Sequence, residues 1–98
     1  MASYLVANYN VSNRDGYNQY LAAVGPTIAA QGGKILVAGS GATAVEGNPG
    51  EITIVLEFPN RDALERWYKS EDYQAIIGLR TENTEGMLVF ADQFALPH

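Results

Sequence analysis

Glu57, Arg80 and Lys34 are charged residues set beside apolar stretches of this 98-residue chain, and the aromatic set Tyr17, Tyr20, Trp67, Tyr68 and Tyr73 accompanies them. Glu57 closes a strand-like run in which Thr53 and Val55 share its face. A carboxylate among apolar neighbours tends to hold its proton and could serve as a general acid or base. The competing reading is a structural ion pair with Arg80 or Lys34, because such pairs perturb carboxylates too. The aromatic residues could line a pocket between helices and sheet, since tyrosine and tryptophan combine an apolar wall with a polar tip. Equally, they could be ordinary core with hydroxyls reaching the surface. The candidate ligand-binding residues are therefore Tyr17, Tyr20, Lys34, Glu57, Trp67, Tyr68, Tyr73 and Arg80, with no catalytic role assigned to any of them.

Other chemistry finds no residues to carry it. With no cysteine, there is neither a disulfide nor a thiolate. His98 is the only histidine and stands at the chain end, where no second layer of residues would hold it as a metal ligand or as the base of a nucleophile. Gly39 and Gly41 are followed by no Gly-Lys-Ser/Thr pattern and open no helix, so they form no phosphate loop. The expectation is no metal and no cofactor. A formal charge of −5, with six scattered Lys and Arg residues, argues against nucleic acid. No apolar run reaches the ~20 residues that span a bilayer, and the N-terminus lacks the pattern of a secretion signal. The reading is one domain over residues 1–98, cytoplasmic, with no membrane partner.

The elements that must position these side chains follow from periodicity. Tyr4 to Val11 alternates as a strand. Ser12 or Asn13 caps a helix whose stripe is Tyr17, Tyr20, Leu21, Val24 and Ile28. Gly25-Pro26 interrupts that helix with a kink, and Gly32-Gly33 ends it, one of the two glycines left-handed. Lys34 to Ala38 is the second strand. Thr43 to Glu46 reads as a strand extension or bulged edge, and Gly47-Asn48-Pro49-Gly50 as a turn. Glu51 to Phe58 is apolar on both faces, which marks a central strand covered on both sides. Asn60 caps the next helix, with Asp62 in its first turn and Ala63, Leu64, Trp67 and Tyr68 as its apolar stripe. Ser70 bends it into a second piece that Gly78 weakens. Arg80 to Glu85 reads as loop, Met87 to Asp92 as the last strand, and the remainder as a tail.

The order strand, helix, strand, strand, helix, strand gives an α+β, ferredoxin-like βαββαβ fold. Right-handed crossovers make its four-stranded sheet antiparallel, with the first and third strands central and both helices on one face. The other face keeps apolar residues that nothing in the chain covers. A monomer tolerates only a few hundred Å² of such surface. The prediction is a homodimer through the helix-free sheet face, two sheets packed about a two-fold axis. In this order Glu57 approaches Tyr4 and Asp92, provided the register puts them on one face.

Tyr4-Leu5-Val6, Tyr17 and Tyr20, Gly32-Gly33-Lys34, Glu46-Gly47, Leu56-Glu57-Phe58-Pro59-Asn60, Trp67-Tyr68-Lys69-Ser70, Tyr73-Gln74 and Arg80 together follow one pattern. In these residues, over nearly its whole length, the chain resembles the domain-of-unknown-function family 1330 (DUF1330), of the dimeric alpha/beta-barrel superfamily. It departs from the family where the first helix often opens with Asp-Pro; here Ser12-Asn13-Arg14-Asp15-Gly16 stands instead. The resemblance implies a dimeric α/β barrel and no established activity. The wider superfamily holds cofactor-independent monooxygenases, lactone isomerases, haem enzymes and ligand-sensing domains, so fold leaves function open. Two readings follow. One is a homodimer that binds a small apolar or aromatic molecule between sheet and helices, as a binder or a cofactor-independent enzyme. The other is a non-catalytic ligand-sensing or assembly module with a filled core.

Overall fold

A computed structural model of the chain describes residues 1–95, so the end of the expected tail, including His98, lies outside the described residues. The elements are β1 (Ser3–Val11), α1 (Arg14–Ala30), β2 (Lys34–Gly39), β3 (Ile52–Phe58), α2 (Arg61–Lys69), α3 (Glu71–Gln74), α4 (Ile77–Thr81) and β4 (Thr84–Asp92). The strands form one sheet in the order β2-β3-β1-β4, each neighbouring pair antiparallel, with β1 and β3 central as expected.

Three of the four helices begin where a side chain takes up a free amide; α4 follows Ile76 without such a cap. Asn13 accepts from the Gly16 amide at 3.4 Å, Asn60 from Ala63 at 2.8 Å, and Ser70 from Tyr73 at 3.2 Å. At the other end of α1, Gly32 takes φ +78°, and the amides of Gly32 and Gly33 close onto Ala29 and Ile28 at 3.0 Å each. The helix is not broken at Pro26; it continues to Ala30. Gly25 fits there because a proline ring crowds any Cβ on the preceding residue in a helix.

The structure corrects four expectations. No strand forms over residues 43–46. Helix continues through Gly78, and α4 carries Arg80, where the polar composition predicts a loop. β4 starts at Thr84 rather than Met87, because Thr84, Glu85 and Gly86 pair with Val11, Asn10 and Tyr9. That pairing joins distant segments, so the polar composition of Thr84–Gly86 conceals it. Leu21, expected in the buried stripe of α1, is 48 % exposed.

The two sheet faces differ in cover. On β1, Ser3, Leu5, Ala7 and Tyr9 are buried beneath the helices, while Tyr4, Val6 and Asn8 alternate as half-buried residues of the opposite face. On β3, Ile52, Leu56 and Phe58 are likewise buried and Thr53, Val55 and Glu57 point away. The core lies between this sheet face and the stripe Tyr17, Tyr20, Val24 and Ile28 of α1 with Leu64 and Trp67 of α2. Across the helix-free face, register aligns Val37, Val55, Val6 and Val89 into one row spanning all four strands. Val37 and Val89 in that row are each 45 % exposed.

Candidate functional site

Between α1 and the sheet lies a cavity of about 130 Å³. Its floor is Leu5, Ala7, Ile54, Leu56 and Leu88, and its wall is Tyr20, Val24, Gly25 and Ile28 of α1. Leu21 and Ile35 also line it and are 48 % and 51 % exposed, so the opening lies between α1 and the edge strand β2. This explains the exposure of Leu21: it stands at the rim of the space its helix roofs. An apolar cavity of roughly this size, ~150 Å³, accommodates a single aromatic ring.

Polar groups converge on the lining. The Tyr9 and Tyr17 hydroxyls hydrogen-bond to each other at 2.7 Å, and those of Tyr20 and Tyr73 at 2.8 Å. Arg80 Nε donates to the Tyr73 hydroxyl at 3.3 Å. The rings themselves interlock: Tyr17 stacks on Tyr20 at 5.9 Å, and Tyr73 lies 4.0 Å from Trp67. Trp67, wholly buried, donates through its indole nitrogen to Thr27 Oγ1 at 3.0 Å, which ties α2 to α1.

Arg80 is 9 % exposed and lines both the cavity and an adjoining recess beside Gly86. Gly86 is required in that recess, because a Cβ there would come within 2.4 Å of the Asn8 carbonyl oxygen and 2.5 Å of Tyr9 Cα. Among the described residues the ion pairs are Arg14–Glu51, Arg61–Glu65 and Arg61–Asp92, so Arg80 has no carboxylate partner. Burial opposes its charge, but the phenol oxygens of Tyr73 and Tyr20 around it more than offset that, and its pKa is raised.

The eight residues singled out by sequence separate into two groups. Tyr17, Tyr20, Trp67 and Arg80 line the cavity, and Tyr73 stands behind them as the link between Tyr20 and Arg80. Tyr68 lies outside, packed on Phe90 at 5.5 Å. Lys34 and Glu57 are register partners on the helix-free face, with the sheet between them and Arg80. Glu57 therefore does not meet Arg80, and no ion pair joins it to Lys34 among the described residues. Its other neighbour is Tyr4, directly opposite on β1; the hydrogen bond from the phenol and the adjacent negative charge push the Tyr4 pKa up. Asp92 is not part of this group. It pairs in register with Ser3, accepts from Ser3 Oγ at 2.6 Å, and meets Arg61 at 3.0 Å.

Sequence reasoning missed Tyr9, the second phenol of the Tyr9–Tyr17 pair. The signal was present: Tyr9 shares the alternate face of Leu5 and Ala7, and only the direction of that face was wanting.

The tyrosine pairs give the protein an alkaline limit. Burial first, and then the neighbouring phenols, raise the pKa of Tyr9 and Tyr20 well above the ordinary 10.0. A raised folded pKa favours the protonated folded form, so this contribution is complete below pH 10. Above it the unfolded chain ionises first, and stability falls by about 1.4 kcal/mol per pH unit for each such tyrosine. Urea melts across pH 8 to 11 should stay level and then drop above about pH 10. Phenolate absorbance appearing from every tyrosine with no loss of stability would contradict the buried pairs.

The family model for a domain of unknown function, DUF1330, matches residues 2–94. No curated protein matches the chain. Three similar solved structures share its fold. The RPA0582 protein of unknown function from Rhodopseudomonas palustris has a TM-score of 0.75 at 14 % identity, covering 97 % of this chain and 84 % of that one. SnoaB, a cofactor-independent oxygenase from Streptomyces nogalater, has a TM-score of 0.66 at 12 % identity, covering 99 % and 98 %. A dimeric ferredoxin-like protein of unknown function from Thermobifida fusca has a TM-score of 0.66 at 15 % identity, covering 98 % and 92 %. Among the described residues, no helix is long and apolar enough to cross a membrane.

Proposed function

The chain belongs to the DUF1330 family, and from that premise we propose that it is a homodimer whose protomers each hold a small apolar or aromatic molecule between α1 and the sheet. The observation that carries this reading is the cavity itself. Its apolar floor is left unfilled in a domain whose core is small, and leaving it so forfeits packing that a Leu at Ala7 or Ala38 could supply. A filled assembly core has no use for such a space. The residues that would act are Tyr9, Tyr17, Tyr20 and Arg80 as polar contacts and Trp67, Leu56 and Leu88 as apolar walls. Lys34 and Glu57, on the opposite face, are assigned to the interface between protomers rather than to the ligand. In the dimer, the valine row of one sheet packs on that of its partner.

Two-dimensional amide NMR of the protein titrated with toluene tests the cavity. Saturable shifts should gather at Ala7, Val24, Leu56 and Leu88 and spare the helix-free face. The reading fails if saturating toluene moves none of those four signals.

A further inference from the structure

Among the described residues, Arg80 is a buried cation at the cavity wall without a carboxylate, in a chain of formal charge −5. Its environment can be counted in donors and acceptors. A guanidinium carries five N–H groups and no acceptor. The Tyr73 hydroxyl takes one of them, at 3.3 Å. Among the described residues, no sealed side-chain nitrogen or oxygen lacks a partner, so the other N–H groups open onto the cavity and recess that Arg80 lines. The tyrosines add to the surplus. In the pairs Tyr9–Tyr17 and Tyr20–Tyr73 each shared bond uses one hydroxyl hydrogen and leaves the other without an acceptor among the described residues. The polar end of the cavity thus offers hydrogens whose acceptors are neutral phenol oxygens alone. No Asp, Glu or His lines it.

We propose that the cavity takes an organic anion, a single apolar ring carrying a carboxylate or an acidic hydroxyl, with its anionic oxygen on Arg80 and the tyrosine hydroxyls and its ring over Leu56 and Leu88. This rests on the cavity being the binding site and specifies what it binds. The chemistry follows from the surplus. An anion supplies a charged acceptor where the lining has only neutral phenol oxygens, and charge-assisted hydrogen bonds in a water-poor site exceed neutral ones. A neutral ring fills the floor but brings the guanidinium no charged acceptor. The volume of about 130 Å³ restricts the occupant to about one ring, with any extension leaving between Leu21 and Ile35.

The test compares benzoate, 4-nitrophenol and toluene on the intact protein by calorimetry and NMR. Benzoate should bind at least about tenfold more tightly than toluene, and Arg80→Gln should reduce benzoate affinity on the order of 10–100-fold and abolish its preference over toluene. Arg80→Lys should retain part of the preference, since it keeps the charge and loses the fork. Bound 4-nitrophenol should ionise at lower pH than the free dye, a shift lost in Arg80→Gln. Preference for benzoate alone identifies the carboxylate, and for the dye alone the acidic hydroxyl; either supports the inference. Equal binding of toluene and both anions overturns it and leaves the cavity reading standing, whereas failure of all three probes overturns both. The wild-type comparison holds even if Arg80→Gln does not fold.

Discussion

Trp67→Ala is expected to remove about 3–5 kcal/mol of stability, measured by urea unfolding at neutral pH. Trp67 is wholly buried and packs on Phe58 at 5.5 Å and Tyr73 at 4.0 Å. Truncation loses the transfer free energy of the indole and leaves a void continuous with the cavity that Trp67 already lines. It also strips the indole donor from Thr27 Oγ1, the bond that ties α2 to α1. A domain of this kind has about 5–15 kcal/mol in total, so the variant should approach unfolding at ambient temperature. Trp67→Phe retains most of the packing and loses the hydrogen bond, for a cost of about 1–2 kcal/mol. A loss below about 1 kcal/mol for the alanine variant would mean that the indole is not part of the core.

Val55→Asp is expected to convert the proposed dimer to monomer without unfolding the protomer. Val55 stands on a central strand in the row Val37, Val55, Val6 and Val89, on the face that no helix covers. Within one protomer it is only half-buried, so a carboxylate there keeps contact with water. In a dimer packed through this face, the two-fold axis brings two such carboxylates into an apolar layer. An unpaired buried charge costs several kcal/mol, which weakens association by on the order of a thousandfold. Light scattering after size exclusion should give twice the chain mass for the wild type and once for the variant, with unchanged circular dichroism. A wild-type protein of single-chain mass would remove the interface.

The sequence carries the order of the elements, and through the crossover rule the sheet order, because local patterns set the elements. The alternation of Leu5, Ala7 and Tyr9, the caps Asn13, Asn60 and Ser70, and the left-handed Gly32 each act within a few residues of chain. What it conceals depends on distance. Thr84–Gly86 is strand only because β1 lies beside it. Arg80 stands in a short polar-looking segment whose inward direction is set by where Tyr73 and Tyr20 lie. Glu57 drew attention as a carboxylate among apolar residues, yet its face turns away from the cavity; parity along β3 assigns it to a face but not to a partner. The cavity is less legible still, since no residue type announces a space left empty.

The central claim, a small molecule held between α1 and the sheet, is tested most directly by a crystal of the protein equilibrated with bromobenzene. The account predicts an anomalous bromine signal inside the cavity, bounded by Leu56, Leu88, Val24 and Trp67, in every protomer. A cavity that shows no bromine, with the signal absent or confined to the helix-free face, would contradict it.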